Sequence, residues 1–177
     1  MSRILLVSGE LSGDLYQAAL SRELKRQNQK LEIVGVGGDP IASVVDTHIV
    51  NTTGNSAIGL KGAIFQRSFF KKIEAGIMAY AKENKVDKAI IIDFQHHNFA
   101  LAKLLQNLNI PIYTFITPNF WLWKDKKQGQ KLADYSRKVI TITNREYEFY
   151  KSITDRVVYL GHPLFSMLDL KSGHPTF

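Results

Sequence analysis

Short apolar runs recur along this chain, each closed by glycine, proline or a polar cluster, with helix-length stretches between them. Arg3 to Ser8, Leu31 to Val36, Ala89 to Asp93, Pro111 to Ile116, Val139 to Thr143 and Val157 to Leu160 read as buried strands. The intervening segments carry helical spacing. Leu15, Ala18, Ala19 and Leu24 precede a polar end at Lys25-Arg26-Gln27-Asn28, and Gln66 to Lys85 places Phe69, Ile73, Ile77 and Tyr80 on one stripe. Asn98 to Gln106, a polar stretch ending near Arg137, and Asn144 to Lys151 complete the set. Strands alternating with helices predict βαβ units with right-handed crossovers, hence an α/β fold with a doubly wound, mainly parallel sheet. Residues 41–64 are less legible: a short helix near Ile41–Val45, a strand near His48–Asn51 and a loop from Gly54 to Gly62. From Phe165 onward the pattern stops, so residues 1–164 read as one domain and 165–177 as a linker or tail.

Composition narrows the classes. The 177 residues suit about one domain, and 45% hydrophobic residues suffice for a sizeable core. There is no cysteine, which excludes a disulfide framework, a thiol nucleophile and a thiolate metal site, and suits a reducing compartment. Met1 to Val7 is too short an apolar run for a signal peptide, and no run approaches the ~20 residues of a membrane span. The Asn51-Thr52-Thr53 sequon is therefore not expected to be modified. A formal charge of +7 fits a plain basic soluble protein, or one that meets anionic lipid headgroups or phosphorylated substrates. Nucleic acid is not expected as a partner, because the basic residues are dispersed and no helix-turn-helix, zinc-finger or RRM signature appears.

Four constellations carry candidate chemistry. Ser8-Gly9-Glu10-Leu11-Ser12-Gly13-Asp14 reads as the first βα turn. Its glycines permit a sharp reversal, and Ser12 or Asp14 can cap the next helix, whose amino end attracts anions. The acids at 10 and 14 would repel a bare pyrophosphate. Ile90-Ile91-Ile92-Asp93-Phe94-Gln95-His96-His97-Asn98 runs from a buried strand into a helix start, where open α/β folds bind ligands. A histidine there can serve as a general base; equally, Asp93 can cap the turn while the imidazoles bond the backbone. Adjacent histidines cannot both face one point on a regular element, so no metal site is expected. Thr117-Pro118-Asn119-Phe120-Trp121-Leu122-Trp123-Lys124 brings both tryptophans together beside Asp125-Lys126-Lys127. That mixture suits sugars, phosphorylated acyl chains, a membrane interface or a loop folded over the core. Gly161-His162-Pro163 is a turn closing a strand.

Taken in order, these motifs resemble the N-terminal half of the lipid-A-disaccharide synthase family, inverting glycosyltransferases of the GT-B fold. The family's G-E-x-S-G-D appears as Gly9-Glu10-Leu11-Ser12-Gly13-Asp14, its G-x-G-G as Gly35-Val36-Gly37-Gly38, and its M-G-L as Ile58-Gly59-Leu60. Its strand ending in I-D appears as Ile92-Asp93 followed by Asn98, with Asp87 upstream. Its S-P-x-x-W-A-W-R appears as Thr117 to Lys124, its P-F-E retains Glu146, and its G-H-P appears as Gly161-His162-Pro163. The matches span residues 4–164. There are departures. Where the family has proline and then a catalytic aspartate after the I-D pair, this chain has Gln95 and His96. The loop arginine is Lys124, which lacks the planar fork, and no proline precedes Glu146.

The resemblance implies transfer of 2,3-diacylglucosamine from its UDP form to 2,3-diacylglucosamine 1-phosphate, without a cofactor. His96 would take the place of the catalytic aspartate, with Asp93 or Asp87 orienting the turn. Substrate contacts would come from Gly9, Glu10, Ser12, Gly13, Asp14, Gln95, Asn98, Trp121, Trp123, Lys124 and Glu146. The family also implies a cytoplasmic protein peripheral on the inner membrane, on an anionic lipid surface. Its second, UDP-binding domain is not expected within this chain, which is compatible with a second-domain partner or a homodimer. Two other readings stand beside this one: a non-catalytic lone half that binds a lipid or protein partner, and a flavodoxin-like binder. The 9–14 turn lacks the Ser/Thr-rich run that a flavin phosphate needs.

Overall fold

A computed structural model describes residues 2–53, 63–94, 98–169 and 174–175. Seven strands form one sheet: β1 (Arg3–Ser8), β2 (Glu32–Gly37), β3 (Thr47–Asn51), β4 (Lys88–Ile92), β5 (Ile112–Phe115), β6 (Ser136–Thr141) and β7 (Val157–Tyr159). Their order is β3-β2-β1-β4-β5-β6-β7, and all six pairings are parallel. The direction of winding therefore reverses between β1 and β4, which puts a topological switch point at their carboxyl ends.

The crossovers contain α1 (Leu11–Gln27), α2 (Asp39–Ala42), α3 (Ala63–Glu83), α4 (Asn98–Asn107), α5 (Lys126–Tyr135) and α6 (Asn144–Lys151). After β7 come a short helix, α7 (Leu164–Met167), and an antiparallel pair, β8 (Leu168–Asp169) with β9 (His174–Pro175). Side chains alternate across β1 with period two. Leu5 and Val7 join Ile73 and Ile77 of α3 and Leu101 and Leu105 of α4 in the largest buried cluster. Ile4 and Leu6 belong to a second cluster, packed by Leu20 and Leu24 of α1. A third joins Leu132 of α5, Val139 of β6 and Tyr150 of α6.

Three boundaries differ from the sequence reading. Helix α1 begins at Leu11, so Ser12, Gly13 and Asp14 form its first turn and do not precede it. The helix expected near Ile41–Val45 is instead α2 at Asp39–Ala42, so Pro40 lies in its first turn, where its missing N–H costs nothing. Strand β6 begins at Ser136, where a helix to Arg137 was expected. The buried Ser136 hydroxyl contacts Thr114 Oγ1 at 2.8 Å on β5 and bonds the Leu132 carbonyl at 2.8 Å, so the chain turns directly into the sheet. The Gly54–Gly62 loop, including Ile58-Gly59-Leu60, lies outside the described residues.

Helix α3 provides a test of this packing. Ile73 is fully buried while Met78 is largely exposed. Ile73→Ala is expected to lower unfolding free energy by ~2–5 kcal/mol, whereas Met78→Ala stays within about 0.5 kcal/mol of the parent. Denaturant titration followed by circular dichroism measures both.

Candidate functional site at the sheet's carboxyl edge

Two chain reversals meet at the switch point. The Phe94 ring occupies the space that a Cβ on Gly9 would need. A Cβ on Gly13 would stand 3.1 Å from the Ile92 carbonyl oxygen and 3.1 Å from Ser8 Cβ, so the first turn of α1 approaches the end of β4 closely. Ser12 Oγ donates to Asp93 Oδ2 at 2.8 Å. Asp93 has φ of 45°, a left-handed conformation that aspartate tolerates better than most residues, and its N–H donates to the Phe115 carbonyl at 3.1 Å. The acid is thus held by β5 through its backbone and by α1 through its carboxylate. Glu10 is the N-cap residue of α1, extended in backbone, and no side chain caps the helix. The expectation that Ser12 or Asp14 caps it fails because both lie inside the helix.

Asp14 instead locks two motifs together. Its carboxylate is 2% exposed; Ser8 Oγ donates to Oδ1 at 2.5 Å, and Gly38 N–H donates to Oδ2 at 3.0 Å. A Cβ on Gly37 would fall 2.6 Å from both Asp14 Oδ1 and Ser8 Oγ, and one on Gly38 would collide with Asp14 Oδ2. The glycines are therefore required by the carboxylate that packs against them. Burial pushes the Asp14 carboxyl above its usual range, opposed by the bonds from Ser8 and Gly38. Beside the lock, Asp39 accepts from Asn51 Nδ2 at 2.8 Å, a bond that holds its carboxyl below the usual range.

The carboxyl ends of β5 and β6 are joined by Glu146. It is 2% exposed. Oε1 accepts from Thr117 N–H at 2.9 Å and Thr117 Oγ at 2.7 Å, and Oε2 accepts from Ile142 N–H at 2.8 Å. Thr143 and Glu146 also form a capping box at the start of α6. Glu146 thus fixes the loop after β5 to the helix after β6. Tyr150 is buried behind it, and burial, with the Glu146 charge adding, raises its phenol well above the usual range. The tryptophan loop is tied down by backbone bonds: Trp123 N–H to Asn119 O at 3.3 Å and Asp125 N–H to Phe120 O at 2.9 Å. Phe120 stacks on Phe99 with centroids 5.6 Å apart. Leu122 and Trp123 nevertheless remain 54% and 71% exposed.

The sites named from sequence therefore fall on one edge. Ser12 and Gly13 meet Asp93 at the switch point, Gly9 lies against the Phe94 ring, Glu10 stands at the N-cap of α1, and Asp14 turns to Ser8 and Gly38. Trp121, Trp123, Lys124 and Glu146 lie toward β5 and β6. Gln95, His96 and His97 are outside the described residues, and of Asn98 only the backbone is described, as the first residue of α4. Asp87 cannot orient the 93–98 turn. It sits at the amino end of β4, one strand length away, where it accepts from Arg3 N–H at 2.8 Å, the main cause of its lowered carboxyl.

Sequence reading missed Tyr16, and gave Ser8, Phe94 and Thr117, which stand inside the constellations it named, no role of their own. Tyr16 packs edge-on against His162, with centroids 6.0 Å apart, which brings the turn after β7 to α1. Burial, with the Asp93 charge adding, raises the Tyr16 phenol. Only the fold joins those positions. Among the described residues no cluster of three or more His, Asp or Glu could hold a metal, and no helix is long and apolar enough to cross a membrane.

Asp14 generates a pH test. A carboxyl raised on folding binds its proton more tightly in the native state, so its contribution is complete below the unfolded value of 3.8 and is lost as pH rises through the folded value. The stability of the parent relative to Asp14→Asn is expected to fall as pH rises above 3.8. Chemical denaturation of both proteins across pH 3–8 measures this; a gap that widens in the parent's favour contradicts it.

Comparisons with known proteins bear on the family and the fold. A family model of lipid-A-disaccharide synthetase matches residues 4–174. A lipid-A-disaccharide synthase of Synechocystis sp. is 30% identical over 165 residues, covering 92% of this chain and 42% of that protein. One from Gloeothece citriformis is 33% identical over 181 residues, covering 98% and 46%. The chain thus spans less than half the length of these relatives. Among solved structures, Phytolacca americana UGT2 complexed with UDP-2fluoro-glucose and pterostilbene superposes with a TM-score of 0.55 at 12% identity, over 91% of this chain and 54% of that one. At that identity the likeness concerns the fold. With the family match running over nearly the whole chain, this protein belongs to the lipid-A-disaccharide synthetase family.

Proposed function

We propose that this chain forms the acceptor-side domain, residues 1–164, of an inverting glycosyltransferase in lipid A biosynthesis. The reaction is transfer of 2,3-diacylglucosamine from its UDP form onto 2,3-diacylglucosamine 1-phosphate. The observation that carries the reading is the convergence of two family motifs on the carboxyl ends of β1 and β4, including the bond between Ser12 and Asp93, 81 residues apart. The acceptor hydroxyl attacks the anomeric carbon as the bond to the UDP phosphate breaks, and the hydroxyl proton passes to a base. His96 follows Asp93 by three residues and is the base in this reading. Asp93, held by Ser12 and β5, fixes where the turn begins.

The nucleotide of the donor belongs to the part of the relatives that this chain does not span, supplied by a second domain or a partner chain. The charge of +7 supports contact with an anionic lipid surface, where each nearby basic residue adds about 1 kcal/mol; the family resemblance implies that this surface is the cytoplasmic face of the inner membrane. The amino end of α1 and the 9–14 turn border the acceptor. Glu146 serves the substrate by holding Thr117 and the tryptophan loop in place.

In an enzyme complete with its donor domain, His96→Ala is expected to lower turnover by about 10²–10⁴-fold. Ser12→Ala removes one hydrogen bond of about 1 kcal/mol and is expected to lower it by less than about tenfold. Product formation from UDP-2,3-diacylglucosamine, quantified by mass spectrometry, measures both. Unchanged turnover in His96→Ala overturns the assignment of the base. A lone half acting only as a lipid- or partner-binding module predicts no transfer at all, even with the donor domain present.

A further inference from the structure

A groove of about 670 Å³ lies between the tryptophan loop and α6, at the β5–β6 side of the carboxyl edge. We propose that it binds a phosphate carried on an apolar chain, one molecule at a time. Trp121, Leu122 and Phe149 supply apolar wall, and Lys124, Lys126 and Arg145 supply three cations against one carboxylate, Glu148. No ion pair among the described residues engages any of those three cations. The amino end of α6 adds to this. Its capping box takes the Glu146 amide, while the amides of Asn144 and Arg145 in the first turn have no intrahelical acceptor. That helix end favours negative charge.

The floor is built, not left over. Lys124 adopts φ of 54°, Asp125 accepts from Gln128 N–H at 3.0 Å to cap α5, and Phe149 packs where a Cβ on Gly129 would stand. The loop backbone is therefore fixed, with Leu122 in the groove wall and Trp123 in water beside it. A bare anion leaves the three apolar walls wet, and an uncharged chain leaves the cations unpaired. A phosphate with a chain attached satisfies both. This deepens the proposed function and rests on it for the ligand's identity, since an acylated sugar phosphate has this chemistry. The binding itself is read without transfer, so the two fail separately.

The only two tryptophans of the chain are Trp121, in the groove, and Trp123, beside it, so intrinsic emission reports on the site directly. The chain is titrated with dihexanoyl phosphatidic acid below its micelle concentration, with dihexanoyl phosphatidylcholine, with inorganic phosphate, and with phosphatidylcholine vesicles containing or lacking phosphatidylglycerol. The expected result is a saturable blue shift with dihexanoyl phosphatidic acid. Binding is at least about tenfold weaker for the other two soluble probes and for the Lys126→Ala/Arg145→Ala variant, a difference of ~1.4 kcal/mol. The variant's denaturation midpoint, measured alongside, is expected to match the parent's. Equal response to the two short-chain lipids, undiminished binding by the variant, no response, or a response to anionic vesicles alone would each overturn the groove assignment. The last outcome would make the loop a bilayer contact.

Discussion

The buried Asp14 carboxylate ties the first turn of α1 to the ends of β1 and β2. One oxygen takes the Ser8 hydroxyl and the other takes the Gly38 amide. A carboxylate this deep is tolerable only with its lone pairs satisfied, and only if the neighbouring backbone comes close enough to satisfy them. Gly37 and Gly38 are the residues that let it do so. The same closeness brings α1 against β4 through Gly13, which places Ser12 within hydrogen-bond reach of Asp93. The switch-point geometry thus follows from one acid fitted against the two glycines at the end of β2, and from Gly13 against the end of β4.

A second acid repeats the principle on the other half of the edge. Glu146 spans the ends of β5 and β6 and gathers backbone and hydroxyl donors from Thr117 and Ile142. The two carboxylates are structural: each is buried and each fixes a loop that reaches solvent. Cationic and aromatic groups are left to face outward beside them, at Trp121 to Lys127 and Arg145. The proposed reaction between anionic, acylated partners would have use for this division, in which negative charge is consumed inside the fold and positive charge is presented outside.

The parallel architecture was legible because its signals are local. Apolar runs of β-branched residues ended by Gly or polar clusters marked the strands, and stripes such as Phe69-Ile73-Ile77-Tyr80 marked the helices. The start of α1 was not legible. A glycine in a first helical turn costs about 1 kcal/mol of local propensity, and the reason for Gly13 is a contact with β4, about eighty residues away. Within the site, motif residues were visible while their partners were not. Ser8 and Gly38 as donors to Asp14, Thr117 as the donor to Glu146, and Tyr16 against His162 are all pairings across distant sequence positions. Asp87 shows the converse error: near Asp93 in sequence, it stands at the opposite end of the strand.

The central claim is that the carboxyl edge of this sheet forms the acceptor half of a lipid glycosyltransferase. The most direct measurement is glycosyl transfer by this chain, alone and with a donor domain from a family relative supplied in trans, using UDP-2,3-diacylglucosamine and 2,3-diacylglucosamine 1-phosphate. Disaccharide and UDP are expected in equal amounts when both halves are present. Binding of both substrates by the reconstituted pair without any disaccharide would contradict the claim.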